Sequence, residues 1–294
     1  MADPIHIEFT RFSAFYSPLI AAIAGGFLAD EGFAPTYAVS APGKSAIEGV
    51  LSGTVQVGQS APSQAFPQLE KGQRPDVAHF AQVNEMDGFF LVGRKPEPSF
   101  KWSSLRGRRL IIDHGAQPLA MFKYACLKRG VNFNDIVAVN IPSPEMVAAF
   151  RRGEGDYVHL QGPLPQQLEH DEAGHIVASC GAAIGPCAFS SLVAARDWLL
   201  MPPAKRFMRA YRRSRAFVIK SPAAEVARIE ASFFPGTDPD VLARTIAAYQ
   251  KLGNWTPHVE ITKPAWEAVN DIFLSAKLIT RKHRYEDAIA PPPA

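Results

Sequence analysis

Arg11 stands directly after a short alternating run, IHIEF, with Phe12, Phe15 and Tyr16 crowded behind it. A guanidinium in that position can fork onto an oxyanion, and an aromatic wall suits a planar ligand. Gly43, Lys44 and Ser45 open one short helical pattern, and His114, Gly115, Ala116 and Gln117 lead into another. Helix starts point backbone N–H groups outward and favour a sulfonate, carboxylate or phosphate. Ser60 and Gln161 each end a strand-like run, in positions that can hydrogen-bond a small ligand. Asn84, Glu85 and Asp87 follow the run VAHFAQV, and the two carboxylates would suit a ligand amine. Every one of these residues also has a plainer reading. Arg11 can be a surface arginine, and Phe12 or Phe15 can pack beneath a helix. Ser45 and Ser60 can be ordinary caps and turn formers. Glu85 and Asp87 can be solvated, and His114 can be a hydrogen-bonded structural group.

Catalysis would have to draw on a different use of the same side chains. His114, Glu85 and Asp87 could together serve a decarboxylase or hydrolase on a small aromatic or heterocyclic substrate. The sequence carries no HExxH, phosphate-binding loop, dinucleotide fingerprint or Ser-His-Asp order, so no cofactor and no metal are expected. The three cysteines, Cys126, Cys180 and Cys187, lack zinc-site spacing and make no disulfide framework, although Cys180 and Cys187 could pair in an oxidising compartment. Cys126, among apolar neighbours in KYACLKR, reads as a core residue.

Of the 294 residues, 47% are hydrophobic and 20% charged, the profile of a globular protein with a substantial core. A net charge of +3 gives no reason to expect nucleic acid or an anionic membrane surface as partner. No apolar run is long enough to insert in a bilayer. The start, MADPIHIEFT, lacks the basic and apolar regions of a secretory signal. The expectation is therefore a periplasmic protein if a signal has been removed, or a cytoplasmic one if Met1 is the natural start. KRFMRAYRRSR, at 205–215, reads as a helix with a solvated basic stripe of Lys205, Arg209, Arg212 and Arg213. The closing APPPA reads as disordered.

The elements that must position these residues occur twice. From Ile5, a strand and a polar, aromatic loop lead to Pro18, where a helix begins and runs through Leu19, Ile20, Ile23, Phe27 and Leu28 towards Gly32. TYAVSAP is a second strand, GKSAIEGVLSG a short helix and TVQVGQSAP a third strand. The same order returns from RLIID: a loop, Pro118 opening a helix that ends at Gly130, the strand DIVAVNIPSP, the helix EMVAAFRRG and the strand DYVHLQGP. Alternating strands and helices imply parallel sheets with helices on both faces, and two copies imply two similar lobes. Ligands of such sheets lie beyond the carboxyl ends of the strands. The loops 11–16, 40–45, 58–62, 114–117 and 161–163 all fall at such ends, so two facing sets would make a cleft.

These segments resemble a known family. SPLIAAIAGGFLADEGF, GKSAIEGVLSGTVQVGQSAP, SSLRGRRLIIDHGA and PSPEMVAAFRRGEGDYV, with the later IAAYQKLGNWTP and FLSAKLI, are similar in order and spacing to the NMT1/THI5-like branch of type II periplasmic-binding proteins. Sulfonate, nitrate, taurine and thiamine-precursor receptors belong to that group. The resemblance implies a two-lobed α/β fold with the ligand cleft between lobes. Lobe one is then discontinuous, 1–92 plus 190–294, with lobe two at 93–189 and crossings near 90–94 and 187–193. It also implies a solute-binding protein that captures a small polar or anionic organic molecule, aromatic ones included, and closes by a hinge motion. Its partners are then an ABC permease and ATPase. The alternative is an enzyme on the same scaffold, thiamine-pyrimidine-related among others. The matching stretch GPCAFSS holds Cys187 alone where thiamine-pyrimidine synthases carry a cysteine-rich run, which puts that chemistry in doubt. Desulfinases of this fold use a first-lobe cysteine, and no cysteine precedes Cys126.

Overall fold

A computed structural model of the chain describes residues 2–41 and 44–294. The strands fall into two five-stranded sheets. The first has the order β2-β1-β3-β10-β4, formed by β1 (Asp3–Phe9), β2 (Phe33–Val39), β3 (Val57–Ser60), β4 (Val77–Asn84) and β10 (Ser190–Ala195). The second has the order β7-β6-β8-β5-β9, formed by β5 (Phe89–Gly93), β6 (Arg109–Ile112), β7 (Val137–Asn140), β8 (Tyr157–Gln161) and β9 (His175–Ser179). The two orders are the same apart from numbering, as the internal repeat requires. In each sheet four strands run in one direction, and one strand beside a crossing, β10 or β5, inserts antiparallel between the third of them and the edge strand.

Helices α1 (Ser17–Ala24), α2 (Phe27–Asp30), α3 (Ala46–Leu51) and α4 (Phe66–Glu70) belong to the first unit. The second carries α5 (Ala116–Lys128), α6 (Met146–Arg151), α7 (Leu164–His170) and α8 (Cys180–Ile184). The chain then returns to the first sheet and ends in α9 (Pro202–Lys220), α10 (Ala223–Glu230), α11 (Pro239–Leu252), α12 (Lys263–Ser275) and α13 (Tyr285–Ala288). Ile5, Ile7 and Phe9 alternate inward from β1, while α9 packs along α1 and α2. One hydrophobic core runs through both lobes, and a smaller one around Val158 and Phe150 fills the far side of the second sheet.

Several sequence expectations change in detail. The first long helix is broken at Gly25–Gly26, where Gly26 has φ 77° and caps α2, so α1 stops at Ala24. Helix α5 starts at Ala116, two residues before Pro118, because Gly115 supplies the N-cap. The apolar run at 90–94 is not a linker: all of β5 pairs within the second sheet, and the chain leaves the first sheet after Asn84. It returns between α8 and Ser190. The basic stripe of α9 is largely answered from within, since Arg209 bonds Glu31 at 2.7 Å and Arg213 bonds Asp30 at 2.6 Å. The proline tail is packed on lobe one, where Arg212 donates to the Pro293 carbonyl at 3.2 Å and Pro293 is buried.

The crossings are densely packed. Phe15 is fully buried, with its ring against Phe189 (centroids 5.4 Å) and Tyr249 (5.3 Å). A Cβ on Gly88 would lie 2.3 Å from that ring, so only glycine lets the first crossing pass beneath it. Tyr249 accepts the Gly162 N–H at 2.8 Å and donates to the Gly88 carbonyl at 2.9 Å, tying α11 to lobe two and to the first crossing.

Candidate functional site

The strand tips of the two sheets face each other across a cavity of about 400 Å³. Its floor in lobe one is a hydrogen-bonded row. Gln59 Oε1 accepts from the Thr10 hydroxyl (2.7 Å) and backbone N–H (3.1 Å), while Gln59 Nε2 donates to Ser190 Oγ (2.6 Å). Ser60, at the end of β3, is 3% exposed and borders the cavity beside this row. Its carbonyl accepts the Ser190 and Ser191 hydroxyls, each at 3.3 Å.

The opposite wall belongs to lobe two. Gly115 caps α5, and its N–H donates to Asp113 Oδ1 at 2.8 Å. Gln117 joins the lobes: its Oε1 accepts the Ser63 hydroxyl at 2.5 Å and its Nε2 donates to the Phe189 carbonyl at 2.8 Å. A second bridge runs from Ser13 Oγ to the Gly162 carbonyl at 2.6 Å. Gln161, at the tip of β8, is 6% exposed and its Oε1 has no partner. A buried acceptor left unpaired is costly, and a ligand N–H or O–H would relieve it.

Arg11 reaches across the cleft to Asp113, with Nη1 3.6 Å from Oδ2. Lys44 lies at the mouth and faces Glu48 at 3.2 Å. Ser45 is the N-cap of α3 yet makes no side-chain capping bond, which leaves its hydroxyl for the cavity it borders. Gly43 lies outside the described residues. Tyr16 is 5% exposed and, with Phe89 and Phe189, supplies aromatic surface. Among the described residues the charged ones lining the cavity are Arg11, Lys44 and Asp113, and because the Lys44–Glu48 pair is exposed and weak, the lining keeps a cationic excess that suits a single anionic group.

The structure thus brings Arg11, Tyr16, Lys44, Ser45, Ser60, Gly115, Gln117 and Gln161 to one cavity. Phe12 turns away and packs edge-on against Phe233 (centroids 5.2 Å), beside a second chamber. Phe15 and Asn84 are fully buried behind the cavity, where Asn84 Nδ2 donates to the Phe15 carbonyl at 3.2 Å. Glu85 accepts from the Thr262 hydroxyl at 2.9 Å and lies 3.2 Å from His258 Nε2, on the outer side of the crossing. Asp87 is fully buried, with Oδ1 accepting the Phe89 N–H at 2.6 Å, and burial raises its carboxyl to about 7. His114 is exposed and does not border the cavity; its neighbour Asp113 does. His114, Glu85 and Asp87 are therefore not gathered around this cavity.

Sequence reasoning missed Thr10, Gln59, Phe89, Asp113, Phe189 and Ser190. Asp113 and Phe89 were visible as strand-end residues, since each adjoins a segment already in view. Phe189 and Ser190 fall within the crossing placed near 187–193, but nothing local marks which residues of that run meet the cleft. The cysteines are free and buried, and burial pushes the Cys126 thiol up to about 12, so it is held as a neutral thiol. Among the described residues, no group of His, Cys, Asp and Glu is arranged to hold a metal ion, and no helix is long and apolar enough to cross a membrane.

The family profile described as NMT1/THI5 like matches residues 14–225. YtlA of Bacillus subtilis (strain 168), a binding protein by name, is 28% identical over 266 residues, covering 89% of this chain and 80% of its own. The alkanesulfonate-binding protein SsuA from Xanthomonas axonopodis pv. citri, solved bound to MOPS, superposes with a TM-score of 0.75 at 17% identity, over 99% of this chain and 100% of that one. The periplasmic aliphatic sulphonate binding protein SsuA from Escherichia coli gives 0.73 at 15% identity, over 99% and 93%. These likenesses establish the type II periplasmic-binding fold.

Proposed function

This chain belongs to the NMT1/THI5-like family, and from that premise we propose that it is a solute-binding protein serving an ABC importer. It captures a small polar or anionic organic molecule between its lobes, outside the cytoplasmic membrane, and presents the closed form to a permease and its ATPase. The lobe boundaries follow the sheets: 1–84 with 190–294 form lobe one, 89–184 form lobe two, and 85–88 and 185–189 are the hinge segments. The first hinge thus lies before β5, earlier than the sequence alone placed it.

The observation that carries this reading is the make-up of the cavity. Its polar groups come from strand tips of both lobes and converge on one space of about 400 Å³, within the range of small-molecule sites. Ser60 and Ser190 on one side oppose Gly115, Gln117 and Gln161 on the other, so a ligand touching both stabilises closure. Arg11 and Lys44 favour a monoanion. The enzyme reading draws no support from this arrangement, because Glu85 and Asp87 are engaged elsewhere and His114 faces solvent.

A thermal-shift screen over sulfonates, aromatic acids and pyrimidines tests the proposal. A ligand at about 100 times its Kd adds about 2.7 kcal/mol of stability and is recovered chemically unchanged. Turnover of the bound compound that His114→Ala or Glu85→Gln abolishes without unfolding would sink it.

A further inference from the structure

Behind the Arg11–Asp113 pair the cleft opens into a second chamber of about 290 Å³. Arg11, Phe89, Asp113 and Gln161 border both spaces, so the chamber continues the first rather than lying apart from it. It forms where the tips of β6 and β8 separate: the two strands pair at Leu110–Tyr157 and Ile111–Val158 and not beyond. Its apolar surface is contributed by Phe12, Met146, Leu160, Phe233 and Phe234, from both lobes and the α10–α11 connection. A dry apolar cavity of roughly 150 Å³ holds benzene, so this one has room for a substituted ring.

The chamber is not uniformly apolar. His159 borders it and is fully buried, yet neither ring nitrogen has a hydrogen-bond partner. Its imidazole is held by stacking on Phe89 (centroids 4.4 Å) and by an edge contact with Phe122 (5.2 Å). Burial keeps the ring neutral, lowering its pKa to about 3, so it offers one donor and one acceptor. Two residues along the same strand face, Gln161 presents its unpaired Oε1. Two orphaned polar groups on one face of β8, beside an apolar chamber, have no account in the folding of the protein alone.

We infer that the ligand is bipartite: an acidic head held in the cleft and a ring, bearing a hydroxyl or similar heteroatom, seated in the second chamber against His159. This inference rests on the receptor reading and adds the class of molecule received. A site built to hydrogen-bond a substrate hydroxyl rejects the analogue lacking it more strongly than an apolar pocket would, because the orphaned group stays unpaired.

The experiment compares affinities of methanesulfonate, benzenesulfonate and 4-hydroxybenzenesulfonate by calorimetry, with acetate, benzoate and 4-hydroxybenzoate as the carboxylate series. The ringed acids should bind at least about tenfold more tightly than the ringless ones, and the hydroxyl should add about a further tenfold. His159→Phe, which keeps the stacking, should bring the ratio between hydroxylated and plain ring to about one. Leu164→Trp, at the exposed rim, should narrow the chamber and reduce the preference for a ring. If ringless acids bind the wild-type protein as well as ringed ones, or if His159→Phe keeps the hydroxyl ratio, the chamber assignment is overturned while the receptor reading stands. If no acid of either series binds, the bipartite-acid assignment is overturned, and the receptor reading is decided separately by the wider screen that includes pyrimidines.

Discussion

Replacing Asp87 with asparagine should change how stability depends on pH, and by an amount the structure sets. Asp87 lies in the first crossing, fully buried, with one oxygen accepting the Phe89 N–H at 2.6 Å and the other without a partner. Desolvation raises its carboxyl from the ordinary 3.8 to about 7, against the opposing pull of the Phe89 bond. Between those two values the native protein holds a proton that the unfolded chain has released. The stability this carboxyl contributes therefore falls as pH rises through this window and levels off above it. A shift of about three pH units at about 1.4 kcal/mol each gives about 4 kcal/mol across the range. Asparagine keeps the acceptor for Phe89 and cannot ionise. Urea unfolding of both proteins at closely spaced pH values from 4 to 8 provides the measurement. The asparagine variant should gain on the wild type by about 1.4 kcal/mol per unit from pH 4 to 7, then hold its lead. Glu230 is raised in the same direction by burial, and taking the difference between the two proteins cancels it. Parallel stability curves, or a lead that shrinks with rising pH, would show that Asp87 is ionised and satisfied in the native state.

Over much of the same pH range two histidines slope the other way. His79 and His159 are both held down to about 3 by burial, so the unfolded chain gains protons below its ordinary histidine value of 6.5 that the native state refuses. The stability these two histidines contribute then falls as pH drops from 6.5 towards 3, opposing the Asp87 contribution over most of its window, and the difference between His159→Phe and the wild type in the same urea series should widen in the variant's favour as pH falls. Tyr249→Phe removes the hydroxyl that serves Gly162 and Gly88 in a fully buried site, so chemical denaturation should register a loss of about 1–3 kcal/mol. Ser60→Ala should weaken ligand affinity about tenfold by calorimetry while leaving the melting temperature of the unliganded protein within a degree or two.

The paired sheets were legible because each copy of the unit is punctuated locally. Proline at a helix start and glycine at φ 70° after α5 or 91° after α6 act within a few residues, and pattern alone exposes them. The broken first helix was not, since Gly25–Gly26 fits a continuous apolar stripe as well as a break. Strand-tip residues such as Ser60, Gln117 and Gln161 could be selected because parallel α/β sheets gather such positions. The acidic residues at 85 and 87 were harder to place. Whether a carboxylate beside a crossing faces the cleft or packs behind it depends on Thr262, His258 and Gly181, which are distant in sequence. His159 was passed over for the same reason. Its meaning comes from Phe89, Phe122 and the gap between β6 and β8, none of which a window around DYVHLQGP contains.

Native mass spectrometry of the protein with a ligand from the screen weighs the central claim most directly. One molecule per chain should bind at unaltered mass, and Ser60→Ala combined with Gln161→Ala should strip it from the complex. A ligand that keeps its occupancy in the double variant, or one that leaves as a different compound, would contradict capture between the two sets of strand tips.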